Sequence, residues 1–259
     1  MIVDPAPTRG FLPIVAKNSA LRSLKASERV ARDIVHDIVV RRLREGDNLP
    51  PESAMLQQYG VSRETLREGL RLLEVQGLIS IRRGPGGGPI VGTIDPASLG
   101  RTSTLYFHLA GATYAELFEA WVVCERLIAE LAANNPDRAA ARAAMEPFMR
   151  PHGDADSSLG EFVVKHAEFH TVLASLARNK VLQLSFMMMG QIIVHHGTAN
   201  VDPREARDSV GHEHRAIAKA VSSGHRIKAR DLMEAHVRSI TESYRGDLGA
   251  QMDDFIDWR

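Results

Sequence analysis

The sequence has little cysteine, no long apolar run and no net charge. Among its 259 residues Cys124 is the only cysteine, which excludes an intramolecular disulfide and fits a reducing compartment such as the cytoplasm. No apolar run approaches the roughly 18–20 residues that a membrane-spanning helix needs. The amino terminus combines three prolines with only a short apolar patch, unlike a secretion signal. We therefore expect neither a membrane protein nor a disulfide-stabilised secreted protein. We expect Cys124 to be a buried, unreactive thiol.

The absence of net charge at first argues against a nucleic-acid-binding protein. The charge is unevenly distributed, however. Residues 1–93 carry 14 Lys and Arg against 10 Asp and Glu, a net charge of +4, so the remaining residues carry −4. This mild basic bias is compatible with nucleic-acid binding by the first part of the chain. A chain of this length is also longer than one hydrophobic core usually organises, and it is long enough for two domains.

Residues 59–73 have the pattern of the second helix of a helix-turn-helix. Gly60 suits the left-handed end of a short helix, and Ser62 is a good N-cap for the next one. Three leucines at helical spacing predict a buried stripe: Leu66, Leu70 and Leu73. The long polar side chains of the first turns lie on the other faces, where a helix in the major groove contacts bases. Alone, this segment could also be an amphipathic surface helix.

The flanking segments favour the DNA-binding interpretation. Residues 43–51 form a turn between two predicted helices, the first of which Ser27 can cap. After the recognition helix, residues 78–83 predict a short strand that ends in two arginines, and residues 90–91 a returning strand. Helix, helix, recognition helix and two-stranded wing is the order of a winged helix-turn-helix. The Gly-rich turn of the wing lacks the Lys-Ser/Thr and helix that follow a phosphate-binding loop.

The remainder of the chain predicts helices only. Alternating apolar and charged residues predict six of them, near residues 112–134, 137–149, 157–178, 180–197, 203–223 and 225–245. Prolines, glycines and asparagines separate these segments, and short connections favour antiparallel neighbours. We therefore predict a fold that is mainly α, with an N-terminal winged helix-turn-helix that has a small β-wing and a C-terminal antiparallel all-α bundle.

Both parts resemble known domains. Residues 46–52, 60–68 and 72–78 resemble the GntR family of bacterial transcription regulators. Residues 116–133, 169–182, 213–217 and 229–236 resemble the FCD effector domain, which places the chain in the FadR subfamily. The resemblance covers about residues 27–240. We therefore expect a flexible arm at 1–24, a DNA-binding domain at 25–93, a linker at 94–111, an effector-binding and dimerisation domain at 112–247, and a tail at 248–259.

The resemblance also implies a ligand-responsive transcription regulator, expected to be a repressor that acts as a homodimer on a palindromic operator. Arg63 and Arg67 are the expected base contacts, because a guanidinium matches guanine O6 and N7. Glu64 could accept a hydrogen bond from cytosine N4 or only favour the helix N-terminus. Ser62 and Thr65 are expected to contact phosphates.

The wing should add further contacts. Arg82 and Arg83 are expected to meet the DNA backbone or minor groove, with Gly84 allowing close approach. Ser53 stands where the family commonly has an arginine, so one DNA contact is expected to be absent.

Histidine is abundant, with 11 residues. His166 and His170 are four residues apart, so both lie on one helical face and suit a shared metal ion. Metal-binding FCD domains usually use an Asp and a His at this spacing and one His from each of the last two helices. The resemblance therefore implies His170, His214 and His236 as ligands, with His166 in place of the Asp. Four imidazoles favour Zn, with Ni, Fe or Cu as alternatives, over Mg or Mn. Exposed or hydrogen-bonded histidines are the alternative interpretation.

The expected effector differs from that of related domains. Trp121 stands where many FCD domains have an arginine that binds a ligand carboxylate, and an indole cannot form that bidentate pair. Met188 and Ile192 add flexible apolar bulk, and His195 is a further candidate for the pocket. These residues could instead be plain core; if they line a cavity, they favour an apolar or aromatic effector.

Two alternatives remain at this point. The metal ion itself could be the effector of the regulator. A histidine-ligated metalloenzyme is the alternative from another class, although no general base stands at a telling spacing and an enzyme needs no winged helix. The expected partners are double-stranded operator DNA, a small-molecule effector and a second copy of the chain, without a membrane.

Overall fold

The chain divides into two structural units, Met1–Ser98 and Leu99–Arg259, each with its own hydrophobic core. The computed structural model describes residues 25–84, 87–93, 95–150, 159–197 and 207–258. The arm predicted at 1–24 lies outside these residues. No helix within the described ranges is long and apolar enough to cross a membrane.

In its described residues, the first unit contains three helices followed by a β-hairpin. The helices are α1 (Ala26–Val40), α2 (Glu52–Tyr59) and α3 (Arg63–Val75). Strands β1 (Ile79–Arg82) and β2 (Gly88–Val91) pair antiparallel, with the first residue of β1 opposite the last of β2. The core is formed by apolar side chains from all of these elements: Val30, Ala31, Ile34, Leu49, Met55, Leu66, Leu70, Leu73, Ile79 and Val91. The predicted winged helix-turn-helix is confirmed.

The turn between α2 and α3 follows from local signals. Gly60 has the left-handed conformation, with φ +62°, which ends α2 without the strain that a Cβ would bring. Ser62 caps α3, its Oγ accepting from the backbone N–H of Thr65 at 3.2 Å. The leucine stripe then faces the core, which sets the polar face of α3 toward solvent.

The start of α1 differs from the prediction. Ser27 does not cap this helix but lies buried in its first turn, and Lys25 is the N-cap. The backbone N–H of Lys25 donates to Glu28 Oε2 at 3.0 Å. The reason is tertiary, because α1 crosses α3 at Gly69, where an added Cβ would lie 3.0 Å from the Ser27 carbonyl oxygen. This close approach requires both the glycine and the buried position of Ser27.

The second unit is helical. Its helices are α4 (Pro96–Ala110), α5 (Tyr114–Ala133), α6 (Arg138–Met149), α7 (Leu159–Leu176), α8 (Lys180–Gly197), α9 (Arg207–Ser222) and α10 (Arg226–Leu248). Helices α5–α10 lie where the six were predicted, which confirms a mainly α fold. Helix α5 is central, packing against α7, α8, α9 and α10. Cys124 is buried on α5, and burial raises the pKa of its thiol to about 12, so the thiol is unreactive at neutral pH.

Two segments are more ordered than predicted. The expected linker at 94–111 consists largely of α4. The Asp95 carboxylate caps the start of this helix, because it accepts hydrogen bonds from the backbone N–H groups of Ala97 and Ser98. The expected tail at 248–259 packs onto the second core, where Met252 and Ile256 are buried. The only buried residues of α4 are Gly100 and Thr104, so the segment has no periodic apolar stripe that would have predicted a helix.

Candidate functional site

Helix α3 presents a charged face to solvent. The side chains of Arg63 and Arg67 are 70% and 65% exposed, and Ser62 and Glu64 are exposed beside them. Thr65 is half-buried, its Oγ1 2.8 Å from Ser62 Oγ. The first turns of α3 are therefore held from behind by buried leucines, with their long side chains available to a ligand.

Glu52, which sequence reasoning did not single out, joins the two arginines. Its Oε1 lies 3.4 Å from Arg63 Nε and 3.3 Å from Arg67 Nε. A partly exposed pair of this kind contributes about 0–1 kcal/mol to stability. The larger consequence is geometric, because one carboxylate at the start of α2 draws both guanidinium groups to the same side of α3. The separation of 11 and 15 residues leaves no local sequence signal for this contact.

The wing, formed by β1, β2 and the turn between them, carries the other basic residues of the predicted DNA-binding surface. Arg82 ends β1 opposite Gly88, while Arg83 and Gly84 follow in the exposed turn. Gly84 has φ +100°, so the backbone turns sharply there. Ser53 is exposed at the start of α2, where its short side chain reaches less far than an arginine would.

Four histidines meet in the second unit. His166 and His170 come from α7, His214 from α9 and His236 from α10, and one ligand atom of each lies within 4.8 Å of the others. The Nε2 atoms of His214 and His236 are 3.2 Å apart, and those of His236 and His170 are 3.4 Å apart. A tetrahedral zinc ion with bonds of about 2.0–2.1 Å separates its ligand nitrogens by about 3.3 Å. The spacing of these nitrogens therefore fits such an ion.

Two carboxylates approach these imidazoles from behind. Glu213 Oε2 lies 2.6 Å from Nδ1 of His236, and Glu125 Oε1 lies 2.7 Å from Nδ1 of His170. The second contact is close, although the ring N–H is not aligned with the oxygen. Carboxylates in this position set the tautomer that leaves Nε2 free for a metal. Sequence reasoning missed both residues, although Glu125 interrupts the apolar face of α5, which was a usable signal.

Burial keeps three of these imidazoles neutral. Desolvation lowers the pKa of His166 and His214 well below the usual value, and the neighbouring imidazoles lower it further. Desolvation also lowers the pKa of His236, opposed by its hydrogen bond to Glu213. The same hydrogen bond lowers the pKa of Glu213. Neutral imidazole is the form that binds metals, so the four-histidine cluster could hold a divalent transition metal.

Three of the four predicted effector residues, Trp121, Met188 and Ile192, belong to one hydrophobic core. Trp121 is buried in the core beside Phe118, and Ile192 is buried in the same core. Met188 faces α4, where its Sδ accepts from Ser103 Oγ at 3.0 Å. His195 is exposed, so the structure does not place it in the core with the other three residues.

The next residue explains why His195 points outward. Adjacent residues on a helix point in different directions, and it is His196 that turns toward the protein. Its Nδ1 lies 2.7 Å from the Tyr114 hydroxyl. Trp121, by contrast, is one turn from Glu125 on α5, and its Nε1 is a buried donor without a hydrogen-bond acceptor among the described residues.

Comparisons with known proteins point to the same two domains. Residues 26–87 match the family model "Bacterial regulatory proteins, gntR family", and residues 116–239 match the FCD domain. The chain is 29% identical over 231 residues to the uncharacterized HTH-type transcriptional regulator Rv0494 of Mycobacterium tuberculosis, covering 85% of this chain and 92% of that protein.

Two further similarities extend over most of the chain. It is 23% identical over 253 residues to the HTH-type transcriptional repressor NanR of Escherichia coli, covering 92% of each. Its fold is similar to that of Streptococcus agalactiae GntR, with a TM-score of 0.61 and 23% identity over 83% of this chain and 99% of that one.

Proposed function

Because the chain belongs to the GntR family of bacterial regulators and carries an FCD domain, we propose that this DNA-binding transcription regulator is a homodimeric repressor of a palindromic operator. A twofold symmetric dimer matches a palindrome because each half-site meets an identical recognition helix. The similarity to the repressor NanR supports the direction of regulation. The matched families and relatives are transcriptional regulators, not enzymes.

The single observation that carries the proposal is the exposed arginine pair on α3. Arg63 and Arg67 reach into the major groove and read guanines through O6 and N7. Glu64 accepts from cytosine or complements the helix N-terminus. Ser62 and Thr65 face the phosphates, since the Ser62 cap holds both hydroxyls at the front of the helix.

The wing extends this surface in the proposed complex. Arg82 and Arg83 follow the backbone or the minor groove beside the recognition helix. Because Gly84 has no side chain, the turn can approach the sugar-phosphate backbone closely, and its positive φ is a conformation that glycine adopts without strain.

The four-histidine cluster, which is His166, His170, His214 and His236, is the proposed metal centre of the effector domain. Zinc is the preferred ion, because imidazole ligands at tetrahedral spacing suit it. When bound, the metal would supply a Lewis acid and a cross-link between α7, α9 and α10.

The chain's own residues tune this region for an effector. Among the described residues, the buried N–H of Trp121 has no acceptor and the buried Oε2 of Glu125 has no donor. An effector that satisfies both carries an acceptor and a donor on an apolar or aromatic frame. A carboxylate effector is disfavoured, because Glu125 would repel it and no arginine stands at position 121.

One observation favours a second candidate, a regulator that senses the metal itself. Four imidazoles would supply all the ligands that a tetrahedral zinc ion takes, and sites without an open position are typical of structural rather than ligand-binding metals. Titrating zinc into metal-free protein while measuring operator affinity distinguishes the two. A change in DNA affinity with zinc alone supports the sensor, and no change supports an organic effector.

The proposed function is tested by selecting sequences from a library of genomic fragments with the purified full-length protein, and by native mass spectrometry of the complex. The expected result is enrichment of a palindrome bound by two copies of the chain. Enrichment of no sequence in the presence or absence of zinc would contradict operator recognition, and a one-to-one complex would contradict the homodimer.

A further inference from the structure

A surface cavity of about 510 Å³ lies between α9 and α10, and the charged side chains that line it are all basic. They are Arg215 and Lys219 from α9 and Lys228 from α10. Two imidazoles, His212 and His225, complete the polar lining together with the hydroxyl of Ser223. Among the residues that the structure describes, no acidic side chain contributes to this lining.

The helical spacing explains why these side chains converge. His212, Arg215 and Lys219 are at positions i, i+3 and i+7 on α9, so they form one stripe. His225 and Lys228 are three residues apart at the start of α10 and face that stripe. Small side chains at Ala216 and Ala220 line the space between the helices, which leaves room for a ligand.

The basic residues of the cavity differ from their neighbours on α10. Away from the cavity, Arg226 pairs with Glu130 and Arg230 pairs with Asp231, each at 2.8 Å. By contrast, Arg215, Lys219 and Lys228 form no ion pair with any residue that the structure describes. Like charges held together without partners repel each other, unless an anion lies between them.

The negative end of the α9 helix dipole, which lies near the cavity, is covered by Arg138. The last carbonyls of α9 would carry the negative end of its dipole. Arg138 neutralises them, since its guanidinium donates to the carbonyl oxygens of Val221 at 2.8 Å and Ser222 at 2.9 Å. The adjoining start of α10 provides the positive end of a 23-residue helix.

We propose that the α9–α10 cavity binds a small polyanion, of the class of phosphorylated metabolites, as a second ligand of the effector domain. Its volume is within the roughly 300–1,000 Å³ of small-molecule sites. The site lies on a different face of α9 from His214, so it is separate from the four-histidine cluster and does not depend on the metal. Three permanent cations match a ligand with two or more negative charges.

The test is calorimetric titration of the full-length protein with inorganic pyrophosphate at constant ionic strength. Three proteins are compared: the natural chain, the double variant Lys219→Ala/Lys228→Ala, and the matched control Arg226→Ala/Arg230→Ala. Both variants lose two positive charges from the same hairpin. We expect the natural chain and the control to bind pyrophosphate with similar affinity. We expect the double lysine variant to bind it at least about ten-fold more weakly, since two charge-assisted contacts are lost.

Three results would overturn the proposal. The first is no binding of pyrophosphate to the natural chain. The second is equal loss in both variants, which would indicate a general charge effect. The third is unchanged pyrophosphate affinity in the lysine variant, which would place the pyrophosphate elsewhere, for example at the four-histidine cluster. If pyrophosphate fails to bind while Lys219→Ala/Lys228→Ala weakens binding to all DNA sequences alike, the cavity contacts DNA and the proposal is wrong.

Discussion

Removal of the proposed zinc ion is expected to destabilise the second unit and leave the first unchanged. A ligand that binds only the folded state at 100 times its Kd adds about 2.7 kcal/mol of stability. The second unit spans 161 residues, Leu99–Arg259, and for a domain of this size 1 kcal/mol shifts the Tm by about 2–4 °C. A chelator should therefore lower the Tm of this unit by about 5–10 °C.

The same reasoning gives a larger effect for His214→Ala. His214 is buried and its ring stacks on Phe169, with centroids 3.9 Å apart. The variant loses both the metal and this packing, and deleting a buried side chain of that size adds about 2–5 kcal/mol of destabilisation. His212→Ala is the matched control, because His212 is exposed two residues earlier on the same helix.

Scanning calorimetry of the full-length protein, with elemental analysis of each sample, provides the measurement. The natural chain and His212→Ala should contain metal and respond to the chelator, whereas His214→Ala should contain none and show no response. An equal Tm of the natural chain with and without chelator, or a chelator response that survives in His214→Ala, would refute the four-histidine site.

Three further substitutions test individual contacts. Arg63→Ala should cost about 1–3 kcal/mol of operator binding and relax preference at one base pair. Arg32→Ala is the control, because Arg32 is a similarly exposed arginine on α1; an equal loss on every sequence in a binding assay would rule out base reading. Glu52→Gln should strengthen binding to random DNA, through the lost negative charge, and lower the ratio of operator to random affinity; an unchanged ratio would show that Glu52 does not position the arginines. Glu213→Gln should weaken metal affinity about 10–100-fold, measured by competition with a chelating dye, and unaltered affinity would remove Glu213 from the site.

The recognition helix illustrates what could be derived without coordinates. The Gly60 turn, the Ser62 cap and the leucine stripe are local features, each decided within about four residues along the chain. The helices of the bundle were predictable for the same reason, from the periodicity of their buried faces. The matching positions of His170, His214 and His236 came from a family pattern rather than from geometry.

Other features required the packed structure. Glu52 meets Arg63 from a different helix, Glu125 and Glu213 approach the histidines from α5 and α9, and the basic side chains of α9 and α10 converge across a hairpin. Apart from α4, the sequence by itself determined which segments are helical and which faces they bury, because those choices depend on neighbours a turn away. Only the tertiary structure decided which charged groups meet, because such contacts depend on where distant helices cross and leave no periodic trace in the chain.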